Sequence, residues 1–173
     1  RTFLSVEYGM QTMHDRSLDW MNRGHRHAAT VDAIQRSRGR GFAVCAHVIV
    51  GLPGESRDEI LATARELSRL EVDAVKIHNL YAVRNTRLAE LVQRGEVQLM
   101  ERDEYLDAVI AFLEVLPPQM VVERLSGDAP PEYFVAPAWC LNKPAFRQAL
   151  DAELRRRGTW QGKLGCVGGR DVQ

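Results

Sequence analysis

The fold class of this chain is best predicted from the run Phe42-Ala43-Val44-Cys45-Ala46-His47-Val48-Ile49-Val50-Gly51-Leu52-Pro53-Gly54. From Phe42 to Val50 it is apolar except at Cys45 and His47, which is typical of a strand that is buried on both faces in a parallel sheet. The Gly-Leu-Pro-Gly turn ends this strand, and Ser56 with Glu59 has the spacing of a capping box that begins a helix. A buried strand, a tight turn and a helix in this order predict an α/β protein with parallel strands.

Two more runs have strand character and polar residues at alternating positions, from Thr2 to Met10 and from Ala74 to Leu80. Apolar periodicity and capping residues predict six helices and a fourth strand. We expect the helices at residues 17–23, 28–38, 57–70, 86–94, 102–116 and 144–157, and the fourth strand at residues 121–125. This order predicts half of an α/β barrel or a small doubly wound sheet, and in both folds ligands bind at the carboxyl ends of the strands.

The composition is that of an ordinary globular protein, with 173 residues, 45% hydrophobic and 27% charged residues, and a formal net charge of zero. No overall field attracts nucleic acid or an anionic membrane, and no apolar run is long enough to span a bilayer. No charged segment followed by an apolar stretch indicates a secretory signal. Cys45, Cys140 and Cys166 are widely spaced and odd in number. They do not form a disulfide framework, which favours a reducing cytoplasm.

Strand alternation places polar side chains from three strands on one face, while the apolar positions face the helices. We call this set the polar face, and it consists of Glu7, Gln11, His47, Lys76 and His78. Any one of these residues could be structural, with Glu7 and Lys76 as an ion pair. Five polar side chains inside a barrel are costly unless they are paired or in use, so the whole set indicates a ligand site.

Other chemistries remain open from the residues alone. Cys45, His47 and His78 could form a zinc site, although they lack a short paired-ligand spacing. Cys45 could be a nucleophile, but a buried cysteine on a strand more often packs as a small hydrophobic residue. The turn after Val50 lacks the Lys-Ser/Thr of a phosphate-binding loop, yet its position makes it a candidate wall for a small ligand. A complete, non-enzymatic α/β binding module is a further alternative.

Six motifs follow one another between residues 3 and 164: Val6-Glu7-Tyr8-Gly9-Met10-Gln11-Thr12, Leu18-Asp19-Trp20-Met21-Asn22-Arg23-Gly24-His25, His47-Val48-Ile49-Val50-Gly51-Leu52-Pro53-Gly54-Glu55, Val75-Lys76-Ile77-His78, Gly127-Asp128-Ala129-Pro130 and Trp160-Gln161-Gly162-Lys163. In this order they resemble the YhcC-like family of the radical S-adenosylmethionine (SAM) superfamily. The resemblance implies a fragment of a partial (β/α)6 TIM-like barrel. Residues 1–116 would be the C-terminal half of the barrel, residues 117–164 a family-specific extension and residues 165–173 a disordered tail.

The same resemblance implies a SAM site across the carboxyl ends of the strands. Gln11 closes a strand, Arg23 would meet the SAM carboxylate, and His47 stands where related enzymes have an acid that contacts the ribose. The backbone of three consecutive residues would border the adenine: Tyr81, Ala82 and Val83. We assign Glu7 and Gly51 to the same cofactor site and expect Lys76 and His78 to face the substrate.

The resemblance also implies a [4Fe–4S] cluster held by a CxxxCxxC loop, a spacing that no cysteines of this chain have. We therefore expect the cluster ligands to lie in a longer parent enzyme and this chain alone to be inactive. The parent would cleave SAM to a 5′-deoxyadenosyl radical that acts on an unknown substrate, either RNA or a small molecule. Arg1 directly precedes the first strand, which favours a chain without its earlier strands. We expect self-association through the exposed edge from Thr2 to Met10.

Overall fold

The computed structural model describes residues 3–127 and 129–165. Four strands form its main sheet, and their bounds agree with the predicted strands to within a few residues. They are β1 (Ser5–Gln11), β2 (Ala43–Val50), β3 (Ala74–Asn79) and β5 (Val121–Arg124). The strand order is β1-β2-β3-β5, and every neighbouring pair is parallel. The predicted α/β fold with parallel strands is confirmed.

The helices begin and end close to the predicted positions. They are α1 (Asp15–Trp20), α2 (His27–Ser37), α3 (Arg57–Arg69), α4 (Arg87–Gln93), α5 (Arg102–Val115) and α6 (Lys143–Arg157). The first helix begins and ends earlier than expected, because Met21 and Asn22 already belong to the turn and Asn22 has a φ of 54°. A left-handed φ ends a helix at this point.

The hydrophobic core lies on one face of the sheet. Val48, Val75 and Ile77 are fully buried there against apolar residues of α3 and α5, among them Leu67 and Phe112. Strand alternation explains this arrangement, since these positions point to the opposite side from the polar face. The helices therefore cover one side of the sheet, and the residues of the polar face remain half-buried or exposed on the other.

A two-stranded antiparallel sheet was not predicted. It pairs β4 (Ala82–Val83), inside the expected loop after β3, with β6 (Phe134–Ala136). Arg84 N also donates to Tyr133 O at 2.7 Å. This pairing lies near the carboxyl end of β3 and brings residues from the C-terminal part of the chain beside the candidate site. The tail predicted to be disordered lies, apart from Gly165, outside the described residues.

Candidate functional site

The centre of the polar face is a hydrogen-bonded group on β1, β2 and β3. Glu7 Oε2 accepts a hydrogen bond from His47 Nε2 at 2.5 Å, and Glu7 Oε1 accepts one from Lys76 Nζ at 2.6 Å. The register pairs Glu7 with Cys45 and His47 with Lys76, so Glu7 lies two residues before the level of the other two and its carboxylate reaches both side chains. The hydrogen bonds from Lys76 and then His47 lower the pKa of Glu7, and Glu7 in turn raises the pKa of Lys76.

His78 extends this group toward the carboxyl end of β3. Its ring stacks on the ring of His47, with centroids 5.5 Å apart and an angle of 18° between the planes. Burial, and then the charge of Arg124, lowers the pKa of His78 to about 4. His78 is therefore neutral at physiological pH. Its Nε2 atom is buried and has no hydrogen-bond partner among the described residues.

Gln11 and Arg23 lie together at the carboxyl end of β1. An added Cβ at Gly9 would meet the Arg23 guanidinium and would lie 2.6 Å from Gln11 Nε2, so the two side chains occupy the space above this glycine. Arg23 Nη2 also donates to Gly9 O at 3.0 Å. The register shifts after Gly9, and Gln11 has a φ of 65°, which places its side chain at the end of the strand. Because Gly9 pairs with His47, this corner adjoins the Glu7–His47 pair.

The remaining residues assigned from the resemblance lie at the ends of β2 and β3. Gly51 is buried with a φ of 95°, and Met100 Sδ lies 3.1 Å from the position its Cβ would take, so Met100 covers this turn. The Tyr81 ring stacks on Phe134 at 5.9 Å. Ala82 and Val83 form β4, and a cavity of about 490 Å³ adjoins this segment, lined by Arg84, Asn85, Thr86, Ala89, Glu90, Gln93, Phe134 and Val135.

Sequence reasoning missed the residues that the C-terminal part of the chain adds to the site. Glu123 Oε2 lies 3.4 Å from Lys76 Nζ, and Arg124 pairs with Lys76 in the sheet register. The charged residues Glu123 and Arg124, inside an otherwise apolar predicted strand at residues 121–125, were the sequence signal for this part of the site. Asn79 and Gly127 were also missed, and only the contact between distant segments makes them relevant.

The cysteine and zinc alternatives find no support in the geometry. Burial, followed by the charge of Glu123, raises the pKa of Cys45 to about 11, so the thiol is protonated and a poor nucleophile at neutral pH. Within residues 3–127 and 129–165, no three His, Cys, Asp or Glu side chains are arranged to hold a metal ion. No helix of this part of the chain is long and apolar enough to cross a membrane.

Comparison with known proteins identifies the family. Residues 3–67 match the description "Radical SAM superfamily", and residues 72–156 match "Radical_SAM C-terminal domain". The first match contains the Glu7–His47 pair and the Gln11–Arg23 corner, and the second contains Lys76, which contacts Glu7. The chain belongs to the radical SAM superfamily.

Two relatives and one solved structure agree with this assignment. The chain is 38% identical over 164 residues to YtqA of Bacillus subtilis and 34% identical over 160 residues to YhcC of Escherichia coli. These alignments cover 95% and 92% of this chain but 51% and 52% of the relatives, so the chain spans about half of their length. A structure of the archaeal Methanocaldococcus infernus Elp3 has a TM-score of 0.78 and 22% identity, covering 91% of this chain and 37% of that one. It supports the fold alone.

Proposed function

We propose that this chain supplies the SAM-contacting part of a radical SAM enzyme whose cluster ligands lie in a longer parent protein. The observation that supports it best is the group at the carboxyl end of β1, where Gln11 and Arg23 lie over the bare Cα of Gly9. The Glu7–His47 pair stands beside this group. Parallel α/β sheets bind ligands at this end of their strands.

The residue types suit the groups that SAM presents. Arg23 offers a fixed cation for the carboxylate, and a guanidinium binds carboxylates through paired N–H groups. Gln11 offers both an amide donor and a carbonyl acceptor. In the neutral tautomer of His47 whose Nε2–H donates to Glu7, the Nδ1 atom can accept a hydrogen bond from a ribose hydroxyl. We propose that Glu7 and Gly51 also belong to the SAM site. The segment that borders the adenine is proposed to be Tyr81, Ala82 and Val83.

The three cysteines of this chain do not have the spacing of a cluster loop, so we derive no step through a cluster from its residues. When bound, SAM and a reduced [4Fe–4S] cluster together supply a 5′-deoxyadenosyl radical. The part played by this chain is to hold the SAM carboxylate and ribose and to present Lys76 and His78 toward the substrate. RNA and small molecules are both candidate substrates. We place the protein in the cytoplasm, where free thiols persist.

A binding experiment on this chain tests the proposal. Wild-type protein is titrated with SAM by calorimetry, beside the variants Arg23→Gln and Gly9→Ala. The first variant removes the cation. In the second, the new methyl group displaces the flexible ends of Arg23 and Gln11. We expect each to weaken SAM binding by about tenfold or more, the usual effect of losing a charge-assisted hydrogen bond.

Arg40→Gln is the matched control, because Arg40 is exposed and its side chain donates one hydrogen bond, to Arg36 O, among the described residues. It should bind SAM as tightly as wild type. Equal SAM affinity in all three variants would contradict the proposed site. Anaerobic reconstitution of the parent protein with iron and sulfide, assayed for 5′-deoxyadenosine, tests the reaction itself.

A further inference from the structure

Arg124 is the last residue of β5 and lies at the edge of the candidate site. It is exposed, it pairs with Lys76 in the sheet register, and no described carboxylate lies within ion-pair distance of its guanidinium. Its position distinguishes it from a solvated surface arginine, because it lies beside Lys76, and His78 follows two residues later on the same face of β3. The carboxyl ends of β3 and β5 therefore bring this cation and the His78 ring together.

Lys76, unlike Arg124, is not free to bind an anionic group of a ligand. Its ammonium donates to Glu7 at 2.6 Å and lies 3.4 Å from Glu123, and its side chain is only 16% exposed. Two carboxylates satisfy this single cation. Arg124 keeps its full charge and its planar set of N–H donors, which suits a carboxylate or a phosphate.

His78 has an unused polar atom beside this cation. The ring is half-buried, and its buried Nε2 atom has no partner among the described residues, although buried polar groups are normally hydrogen-bonded. The loop after β5 holds the ring from the other side, since a Cβ on Gly127 would lie 2.9 Å from His78 Nδ1. A buried polar atom without a partner is uncommon, and a ligand or ion that binds it is one explanation.

We infer that Arg124 and His78 receive an anionic group of the substrate, a phosphate or a carboxylate, at the carboxyl ends of β3 and β5. The inference rests on the proposed function, since it places the substrate beside the SAM site, and it names the chemical class of that substrate. The Gln11–Arg23 corner lies at the end of β1, and β2 separates it from β3. Arg23 would therefore bind the SAM carboxylate, and Arg124 would bind the anionic group of the substrate.

The test follows the His78 ring by two-dimensional NMR of the whole chain while inorganic phosphate, acetate or chloride is added at constant ionic strength. Phosphate or acetate should shift the His78 signals in a saturable way and raise its pKa, since a nearby anion favours the imidazolium. Arg124→Gln should weaken this binding by about tenfold. Arg155→Gln, which alters an exposed arginine at the far end of α6, should leave it unchanged.

The outcomes separate the sources of the anion. Saturation by phosphate alone indicates a phosphorylated substrate, and saturation by acetate indicates a carboxylate. The same response to chloride, the absence of saturation, or equal binding by Arg124→Gln and wild type overturns the inference. The anion site and the proposed function can fail independently. If the chain binds phosphate but not SAM, the anion site stands and the cofactor site is rejected. If the chain binds SAM but not phosphate, only the anion site is rejected.

Discussion

Asn79 is the residue that connects the C-terminal part of the chain to the candidate site. Its buried side chain accepts a hydrogen bond from Gly127 N at 3.0 Å and donates one to Cys140 Sγ at 2.9 Å. Tyr105 Oη adds a hydrogen bond to Leu125 O at 2.9 Å. These hydrogen bonds hold the loop after β5 in contact with His78. The position of His78 therefore depends on residues almost fifty positions further along the chain.

The pKa of His78 predicts a pH dependence of stability. It is about 4 in the folded chain against an ordinary value of 6.5, chiefly because of burial. Between these two values the unfolded chain binds a proton that the folded chain does not, so the free energy of unfolding falls as pH drops through this window. Because the ring is only partly buried, we expect a loss of about 1 kcal/mol, less than the full shift would give.

Urea denaturation of wild type and His78→Gln at pH 7 and pH 4.5 measures this effect. The variant should lose less stability on acidification than wild type, and His25→Gln serves as the control that should behave like wild type. If His78→Gln and wild type lose the same free energy, the ring is not held in its neutral form.

Gly127 is predicted to tolerate no side chain. A Cβ there would lie 2.8 Å from Tyr81 Cε1 and 2.9 Å from His78 Nδ1, and both are atoms of packed rings. Gly127→Ala should lower the free energy of unfolding by about 1–3 kcal/mol, the usual cost of overpacking. Gly9→Ala is the matched control, because its methyl group meets only the ends of flexible side chains and should cost less. Thermal unfolding of both variants compares them, and equal losses would argue against a tight Gly127 contact.

At the scale of single elements, α3 begins as its sequence predicts. Ser56 Oγ accepts from Glu59 N at 3.3 Å, and Glu59 Oε2 accepts from Ser56 N at 2.9 Å, so the capping box is confirmed. The hydrogen bond from Ser56 N, followed by that from Arg16, lowers the pKa of Glu59 to about 2. This contribution to stability is present above pH 4.5 and is lost as the pH falls toward 2.

Removing the cap should weaken the whole domain, since α3 packs on the central strands. Ser56→Ala is expected to lower the free energy of unfolding by about 1 kcal/mol, as other N-cap serines do. Ser68→Ala removes a hydroxyl from the same helix, where it donates to Ala64 O at 3.1 Å, and should cost less than about 0.5 kcal/mol. Urea unfolding at neutral pH distinguishes the two, and a larger loss in Ser68→Ala would contradict the role of the cap.

At the scale of the molecule, β1 is an edge strand whose described pairing is with β2 alone. Phe3 and Leu4, just before it, are 84% and 57% exposed. An open edge beside exposed apolar side chains is a template for pairing with another chain. Self-association through this edge remains a prediction.

Sedimentation velocity over a range of concentrations tests it. Wild type should form a dimer at high concentration, and the double variant Phe3→Lys and Leu4→Lys should stay monomeric, because lysines protect strand edges. The control carries Trp160→Lys and Leu164→Lys, at residues that are 60% and 63% exposed elsewhere. A monomeric wild type at every concentration, or equal dimerisation of both double variants, would exclude the β1 edge.

The parallel α/β class, the bounds of most elements and the composition of the polar face could be predicted from the amino-acid sequence. These features follow from local chemistry: the nearly continuous apolar run of β2, the cap at Ser56, and the alternation that separates Glu7 and Lys76 from their apolar neighbours. Such patterns depend on residues close together in the chain.

Which distant residues complete the site depends on how the chain packs in three dimensions. The pairing of β4 with β6, the Asn79 contacts and the pairing of Arg124 with Lys76 join segments far apart in sequence, and no local pattern encodes them. The structure also places the polar face in a half-exposed position, because the helices cover only the opposite side of the sheet. Periodicity assigns a residue to a face, whereas the packing of the other elements decides what covers that face.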